Sequence, residues 1–254
     1  MHERNDILTA AAAALRDARS VAVLTGAGVS AESGLSTFRD AQTGHWAKYD
    51  PMQLATPEAF RRDPELVTRW YDMRRQAALA ANPNDGHRAL AEMQRTLAAR
   101  DGRFTLITQN VDGLHARAGS TDVIELHGSL RHWRCFDCGR AGADLPSPLT
   151  EFPTPCDCGG YMRPGVVWFG ESLPTGAIDR AAEAAASCDV FLTVGTSAVV
   201  YPAAGLIHVA HEAGARTIEI NRDATDVSEL VTWRLAGPSG DLLPHLMQLA
   251  FPTD

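Results

Sequence analysis

Val21-Ala22-Val23-Leu24-Thr25-Gly26-Ala27-Gly28 is the stretch from which the architecture is read. A compact apolar run stopped by glycine is the pattern of a strand buried on both faces, which belongs to parallel sheets covered by helices on either side. Similar runs recur at Phe104–Thr108, Val123–Leu126, Val190–Val194 and Arg216–Ile220. Helical stretches accompany them: an alanine-rich one over Asp6–Ala18, then Asp85–Ala99, Asp179–Ser187 and Pro202–Ala213. This alternation predicts an α/β fold with a doubly wound parallel sheet. Asp40–Asn82, helical and rich in Arg and aromatic residues, and Arg131–Pro164, rich in Cys, Gly and Pro, break the alternation. The expected organisation is therefore a main domain from residues 1–39, 83–130 and 165–254. Residues 40–82 and 131–164 are two inserts that together form a smaller domain over the sheet. The cleft between the two parts is the default binding site.

Composition narrows the classes of function. The chain has 254 residues, 45% of them hydrophobic, enough for a substantial core. A formal net charge of -8 supplies no basic face for nucleic acid, while basic polypeptide segments are attracted. The charged residues Met1–Asp6 and the short Ala10–Leu15 run do not make a secretory signal. Val190–Ala210 is long enough to span a bilayer, but Gly195-Thr196-Ser197, Tyr201-Pro202 and Gly205 divide it into strand, turn and helix start. No membrane association is expected. Five cysteines, four of them in close pairs, fit a reducing compartment, and a cytoplasmic location is expected.

Gly26-Ala27-Gly28 after a strand carries the first two glycines of a dinucleotide fingerprint, which let the backbone approach a pyrophosphate at a helix N-terminus. The same spacing also serves plain tight connections. The acidic residue that a dehydrogenase places at the end of its second strand is absent, since that strand runs into Thr108-Gln109-Asn110, which weakens a hydride-transfer reading. Two polar stretches follow apolar runs, Thr108-Gln109-Asn110-Val111-Asp112-Gly113-Leu114-His115 and Glu125-Leu126-His127-Gly128. Both lie where open α/β sheets bind ligands. Taken singly, Asn110 and Asp112 could be turn formers, and His127 a satisfied core histidine.

Cys135-x-x-Cys138 and Cys156-x-Cys158 offer four soft ligands for one tetrahedral zinc, with every position filled by protein, hence a structural site. In the short second pair, either the knuckle is tight or another ligand such as His132 takes part. Cys188, after a helix, reads as a small hydrophobe.

Gly26 to Arg39, with the continuation Ser30-Ala31-Glu32-Ser33-Gly34-Leu35-Ser36-Thr37-Phe38-Arg39, together with the two polar stretches, resembles the sirtuin family over about Val21–Asn221. It departs from the family at Leu35-Ser36. The resemblance implies a Rossmann-like NAD-binding domain and a small domain made of a zinc-binding module and a helical module. It implies NAD as a consumed co-substrate, contacted by Gly26, Ala27, Gly28, Ser30, Glu32, Phe38, Arg39, Gln109, Asn110, Val111, Asp112, Gly195, Thr196, Ser197, Asn221 and Ser239. His127 is then the general base, while Asn110 and Asp112 orient nicotinamide and its ribose, and Cys135, Cys138, Cys156 and Cys158 hold structural zinc. The implied partners are acylated lysine side chains of proteins. Their carbonyl oxygen displaces nicotinamide, and the products are nicotinamide, 2′-O-acyl-ADP-ribose and free lysine.

Val166-Val167-Trp168-Phe169-Gly170-Glu171 resembles the family's substrate-backbone strand, with Val167 and Phe169 against the peptide. Ala55-Thr56-Pro57 with Tyr71-x-x-Arg74 resembles the subgroup that removes succinyl and malonyl groups. There, Ala55 leaves room while Tyr71 and Arg74 bind the distal carboxylate. Composition alone makes Arg69, Arg74 and Arg75 a solvated helix face. Two rival functions are protein mono-ADP-ribosylation on the same fold and a non-catalytic zinc-ribbon binding module.

Overall fold

The computed structural model describes residues 2–36, 50–142 and 145–252. The strands are β1 (Ser20–Thr25), β2 (Arg103–Thr108), β3 (Ile124–Glu125), β4 (Gly128–Cys135), β5 (Ala141–Gly142), β6 (Met162–Val166), β7 (Val190–Val194), β8 (Arg216–Asn221) and β9 (Trp233–Ala236). The helices are α1 (His2–Asp17), α2 (Ala27–Ala31), α3 (Pro51–Leu54), α4 (Pro57–Arg62), α5 (Pro64–Ala80), α6 (Asp85–Ala98), α7 (Leu114–Arg117), α8 (Ala177–Ser187), α9 (Leu206–Glu212) and α10 (Ser239–Ala250). None of the described helices is long and apolar enough to cross a membrane.

Six parallel strands form the main sheet in the order β3-β2-β1-β7-β8-β9. Successive side chains of a strand point to opposite faces, and β1 shows it: Val21 and Val23 join the core beneath α1, α6 and α10, while Ala22 and Leu24 join the core beneath α8 and α9. The order reverses between β1 and β7, so the chain leaves these neighbours in opposite directions and opens a crevice at their carboxyl ends. Register aligns those ends, Thr25 lying beside Thr108 on one side and Val194 on the other. Everything polar that follows these three residues therefore converges.

The crevice depends on two backbones meeting. Gly28 N–H donates to Gly195 O at 2.8 Å, and Gly26 N–H donates to Val194 O at 3.0 Å. A Cβ on Gly28 would stand 2.8 Å from both Gly195 Cα and its oxygen, and Gly195 itself has φ +60°. Side chains at either position would force the turns apart.

The smaller domain has its own core, in which Leu54, Phe60, Val67, Trp70 and Tyr71 of the helical insert pack on Leu130, Trp133, Met162 and Trp168. Among the described residues the insert is cut into three helices by Asp50-Pro51, Thr56-Pro57 and Asp63-Pro64. Each cap side chain accepts a backbone N–H of the following turn, and each proline takes a position that lacks an intrahelical partner. Cys-rich residues form the antiparallel sheet β5-β4-β6. Its strands β4 and β6 run across the boundaries expected at residues 131 and 164.

Three other differences are physical. The run Val123–Leu126 pairs as a strand only at Ile124 and Glu125, although Leu126 N–H still bonds Thr108 O at 2.9 Å. Pro202–Ala213 is a 3₁₀ turn at Ala203–Gly205 followed by α9, with Gly205 at the junction. Neither β9, four residues long, nor α10, with Pro244 inside it, was expected.

Gly28→Ala should cost about 1–3 kcal/mol through overpacking, at about 2–4 °C of thermal midpoint per kcal/mol for a chain of this size. An unchanged midpoint in a melting experiment would show that the two turns have room to spare.

Candidate active site

Beneath the crevice floor lies a closed hydrogen-bond network. Ser30 Oγ–H donates to Asp112 Oδ2 at 2.8 Å, and Asn110 Nδ2 donates to both Ser30 Oγ (3.1 Å) and Gly26 O (3.0 Å). Leu114 N–H donates to Asp112 Oδ1 at 2.8 Å. These bonds tie the first turn of α2 to the segment after β2 and fix the Asn110 and Asp112 side chains before any ligand arrives. Burial raises the Asp112 pKa, opposed by the Leu114 amide and the Ser30 hydroxyl.

Two buried imidazoles underlie this layer, their rings 4.8 Å apart. His87 Nδ1 accepts from Asn84 N–H in a capping box at the start of α6, which leaves Nε2–H to face Ser30 Oγ at 3.4 Å. His115 Nε2 lies 2.9 Å from Thr25 Oγ1, and Thr25 donates to Thr108 Oγ1 at 2.8 Å. Burial depresses both, His87 to about 4 and His115 to about 3, so both are neutral at pH 7. Neither was singled out as a site residue from sequence. The Asn84-x-x-His87 spacing ahead of a helix was the available signal for one, and the other sits inside a stretch already quoted.

His127 follows β3 and faces the end of β2, with Nδ1 3.1 Å from Gln109 O. A carbonyl only accepts, so Nδ1 carries the proton and Nε2 keeps its lone pair. Burial lowers the pKa of this imidazole, with the Gln109 carbonyl opposing, which favours the neutral form. Gln109 Nε2 reaches the other side of the crevice, donating to Thr196 Oγ1 at 2.9 Å, and Asn221 Nδ2 donates to Thr196 O at 3.0 Å. The expected nucleotide residues Gly26, Ala27, Gly28, Ser30, Gln109, Asn110, Asp112, Thr196 and Asn221 thus share one edge of the sheet. Ser197 is exposed beside them. Glu32 is committed elsewhere: its carboxylate accepts from Ser239 Oγ (2.9 Å) and Gly240 N–H (3.1 Å), closing the N-terminus of α10. Both Glu32 and Ser239 therefore have a structural use. Phe38 and Arg39 lie outside the described residues.

The expected substrate side is built where the two domains meet. Val167 N–H donates to His127 O (2.9 Å), and Phe169 N–H donates to Ala55 O (2.9 Å). The segment after β6 is thereby tied both to the histidine and to the helical insert. Tyr71 and Arg74, on one face of α5, stay together: the Arg74 guanidinium lies 5.6 Å from the Tyr71 ring centre and 4.8 Å from that of Trp70. Arg75, expected on a solvated face, is instead buried, with a guanidinium nitrogen donating to Leu145 O at 3.0 Å.

At the far end of β4 the Cys135, Cys138, Cys156 and Cys158 thiols lie within 4.8 Å of one another. Cys135 Sγ is 3.5 Å from Cys158 Sγ, and Cys138 Sγ is 3.9 Å from Cys156 Sγ. Four thiolates at the usual Zn–S length around one zinc stand about 3.8 Å apart, so the donor set fits the ion. The tight Cys-x-Cys knuckle closes because Gly159 takes φ +89° and Cys156 N–H donates to Gly160 O at 2.8 Å. His132 is not in the cluster. Zinc here would tie the two cysteine knuckles together.

The Sir2 family pattern matches residues 26–202. An NAD-dependent protein deacylase of Aquifex aeolicus is 52% identical over 212 residues, covering 83% of this chain and 87% of that protein. NAD-dependent protein deacylase 1 of Pseudomonas aeruginosa is 49% identical over 246 residues, covering 94% and 97%. Among solved structures, a Sir2 homologue in complex with NAD superposes with TM-score 0.86 at 43% identity, over 94% of this chain and 93% of that one. A Sir2 complex with a p53 peptide and NAD+ gives 0.81 at 30% identity, over 92% and 95%. The chain belongs to the Sir2 family.

Two outcomes follow from the buried groups. Above pH 6.5 both imidazoles are neutral folded or unfolded. Below it, the unfolded chain binds protons that the folded one refuses until about pH 4 at His87 and about pH 3 at His115, so stability falls as pH falls by about 1.4 kcal/mol per pH unit per imidazole. His87→Gln should therefore flatten the fall in melting temperature between pH 6.5 and 5, and an equally steep fall would contradict a neutral buried His87. Elemental analysis should find one zinc per chain, lost in Cys135→Ser together with melting temperature; no zinc in the purified protein would contradict the site.

Proposed function

We propose that the protein is an NAD-dependent protein-lysine deacylase whose general base is His127. The observation that carries this reading is the tautomer of that imidazole: Nδ1 is committed to the carbonyl of Gln109, the residue before Asn110, and the neutral ring keeps its lone pair on Nε2. A base must be neutral at working pH and directed by a fixed partner, and both conditions are met. NAD lies across the Gly26–Gly28 and Gly195–Ser197 turns, with its nicotinamide ribose at Asn110 and Asp112 and its adenosine side toward Asn221. Support comes from the glycine contact, which keeps side chains out of the meeting of the two turns, so that a pyrophosphate can approach their backbone closely. The acyl-lysine carbonyl oxygen displaces nicotinamide at the ribose, and His127 Nε2 takes the proton from the ribose hydroxyl that next attacks the acyl carbon. The lysine amine leaves from the acyl carbon with a proton, and one water adds in its place, so that the acyl group ends as an ester on the ribose of ADP-ribose and the lysine is freed.

The preferred acyl groups carry a distal carboxylate, as succinyl and malonyl do. Ala55 keeps the entrance small-sided, and Tyr71 and Arg74 at the junction of the two domains offer a hydroxyl and a guanidinium to that charge. Residues 50–80 and the β5-β4-β6 sheet form the wall over the acyl-lysine, while the parallel sheet holds the nucleotide.

His127→Ala should retain the melting temperature while nicotinamide release with an acylated peptide falls about 10²–10⁴-fold; near-normal release would remove His127 from the mechanism. Arg74→Met should lower kcat/KM for a succinyl-lysine peptide about ten-fold or more relative to an acetyl-lysine peptide. An unchanged ratio would defeat the acidic-acyl preference.

A further inference from the structure

We infer that Trp168 is a specificity-determining positioning residue, whose indole N–H fixes the Tyr71 hydroxyl as a donor toward the acyl group. This rests on the acidic-acyl reading and adds a residue that acts through Tyr71. Trp168 Nε1–H donates to Tyr71 Oη at 3.0 Å, and both side chains are almost wholly buried. A phenolic oxygen that accepts from the indole retains one proton to give, and rotation about its C–O bond is the only freedom left to it. Among the described residues the Tyr71 hydroxyl donates to no acceptor. Burial pushes the Tyr71 pKa up to about 12, so the proton stays in place at neutral pH. A donor already polarised by an accepted hydrogen bond binds a carboxylate more strongly than an unassisted hydroxyl.

The indole is held from three sides. The buried Arg163 guanidinium lies 3.3 Å from the centre of the Trp168 ring, and its Nη2 donates to Glu171 Oε2 at 3.0 Å. That same carboxylate oxygen accepts from Trp168 N–H at 2.9 Å. The flanking Phe169 N–H is fixed to Ala55 O. A side chain needed only to fill space would not require a buried ion pair behind its ring and a directed N–H in front of it.

The test uses the full-length protein with Trp168 replaced by 3-benzothienylalanine, which keeps the shape of the indole but puts sulfur in place of its N–H, and with Trp168→Phe as a second form. Each is combined with Tyr71→Phe, and kcat/KM is measured with NAD on matched succinyl- and acetyl-lysine peptides. The succinyl-to-acetyl ratio should fall about five-fold with the sulfur isostere, and the isostere should change it less than about two-fold once Tyr71 is phenylalanine. A wild-type preference for succinyl that survives the isostere overturns the inference alone. So does a fall of the same size in the Tyr71→Phe background, or a loss of both activities at constant ratio. A wild-type ratio of one overturns the acidic-acyl reading and this inference with it.

Discussion

The contact between the Gly28 amide and the Gly195 carbonyl is the constraint on which the site depends. Two neighbouring parallel strands, β1 and β7, end in register, and their turns must cross within a hydrogen-bond length before the chain departs to opposite faces of the sheet. Only because no Cβ intervenes does the turn after β1 press against the turn after β7, with the polar segment after β2 on its other flank. The Gln109 side chain then spans from one to the other by its bond to Thr196. A sheet with the same strand order and a wider gap here would have the same core and no shared edge for a dinucleotide.

Below that edge, Ser30, Asn110 and Asp112 are paired with one another rather than left for the ligand to satisfy, while His115 Nδ1 has no partner among the described residues. Ser30 illustrates the economy, giving its proton to Asp112 while receiving from Asn110 and facing the His87 N–H. Each group in such a layer loses water on folding and regains a partner, so the layer is tolerated in the interior and holds its side chains in one arrangement. In the proposed reaction Asn110 and Asp112 would therefore need little reorganisation. His127 stands outside this layer, tied by one ring nitrogen only, as the proposed role of proton acceptor requires.

The fold was legible where burial is two-sided. The apolar runs that became β1, β2, β7 and β8 need no information beyond their own residues, because both faces meet helices. β9 and α10 were not legible: one is a four-residue edge strand, the other a helix interrupted by Pro244 whose N-terminus is closed by Glu32, more than two hundred positions earlier. Glu32, which the resemblance places among the NAD contacts, makes that long-range bond. The site was legible through the clustering of amide, carboxylate and imidazole groups just past strands. The contacts of His87 with Ser30 and of Trp168 with Tyr71 were not, since each joins residues more than fifty positions apart. The cysteine spacing looked too tight for a regular knuckle until the Gly159 conformation supplied the turn.

The central claim is that the acyl group leaves lysine for the ribose of NAD. Mass spectrometry of the products formed from NAD and a succinyl-lysine peptide tests it directly. The account predicts nicotinamide, free lysine peptide and succinylated ADP-ribose in equal amounts. Nicotinamide release with ADP-ribose attached to the peptide or to the protein, and no acylated ADP-ribose, would contradict it.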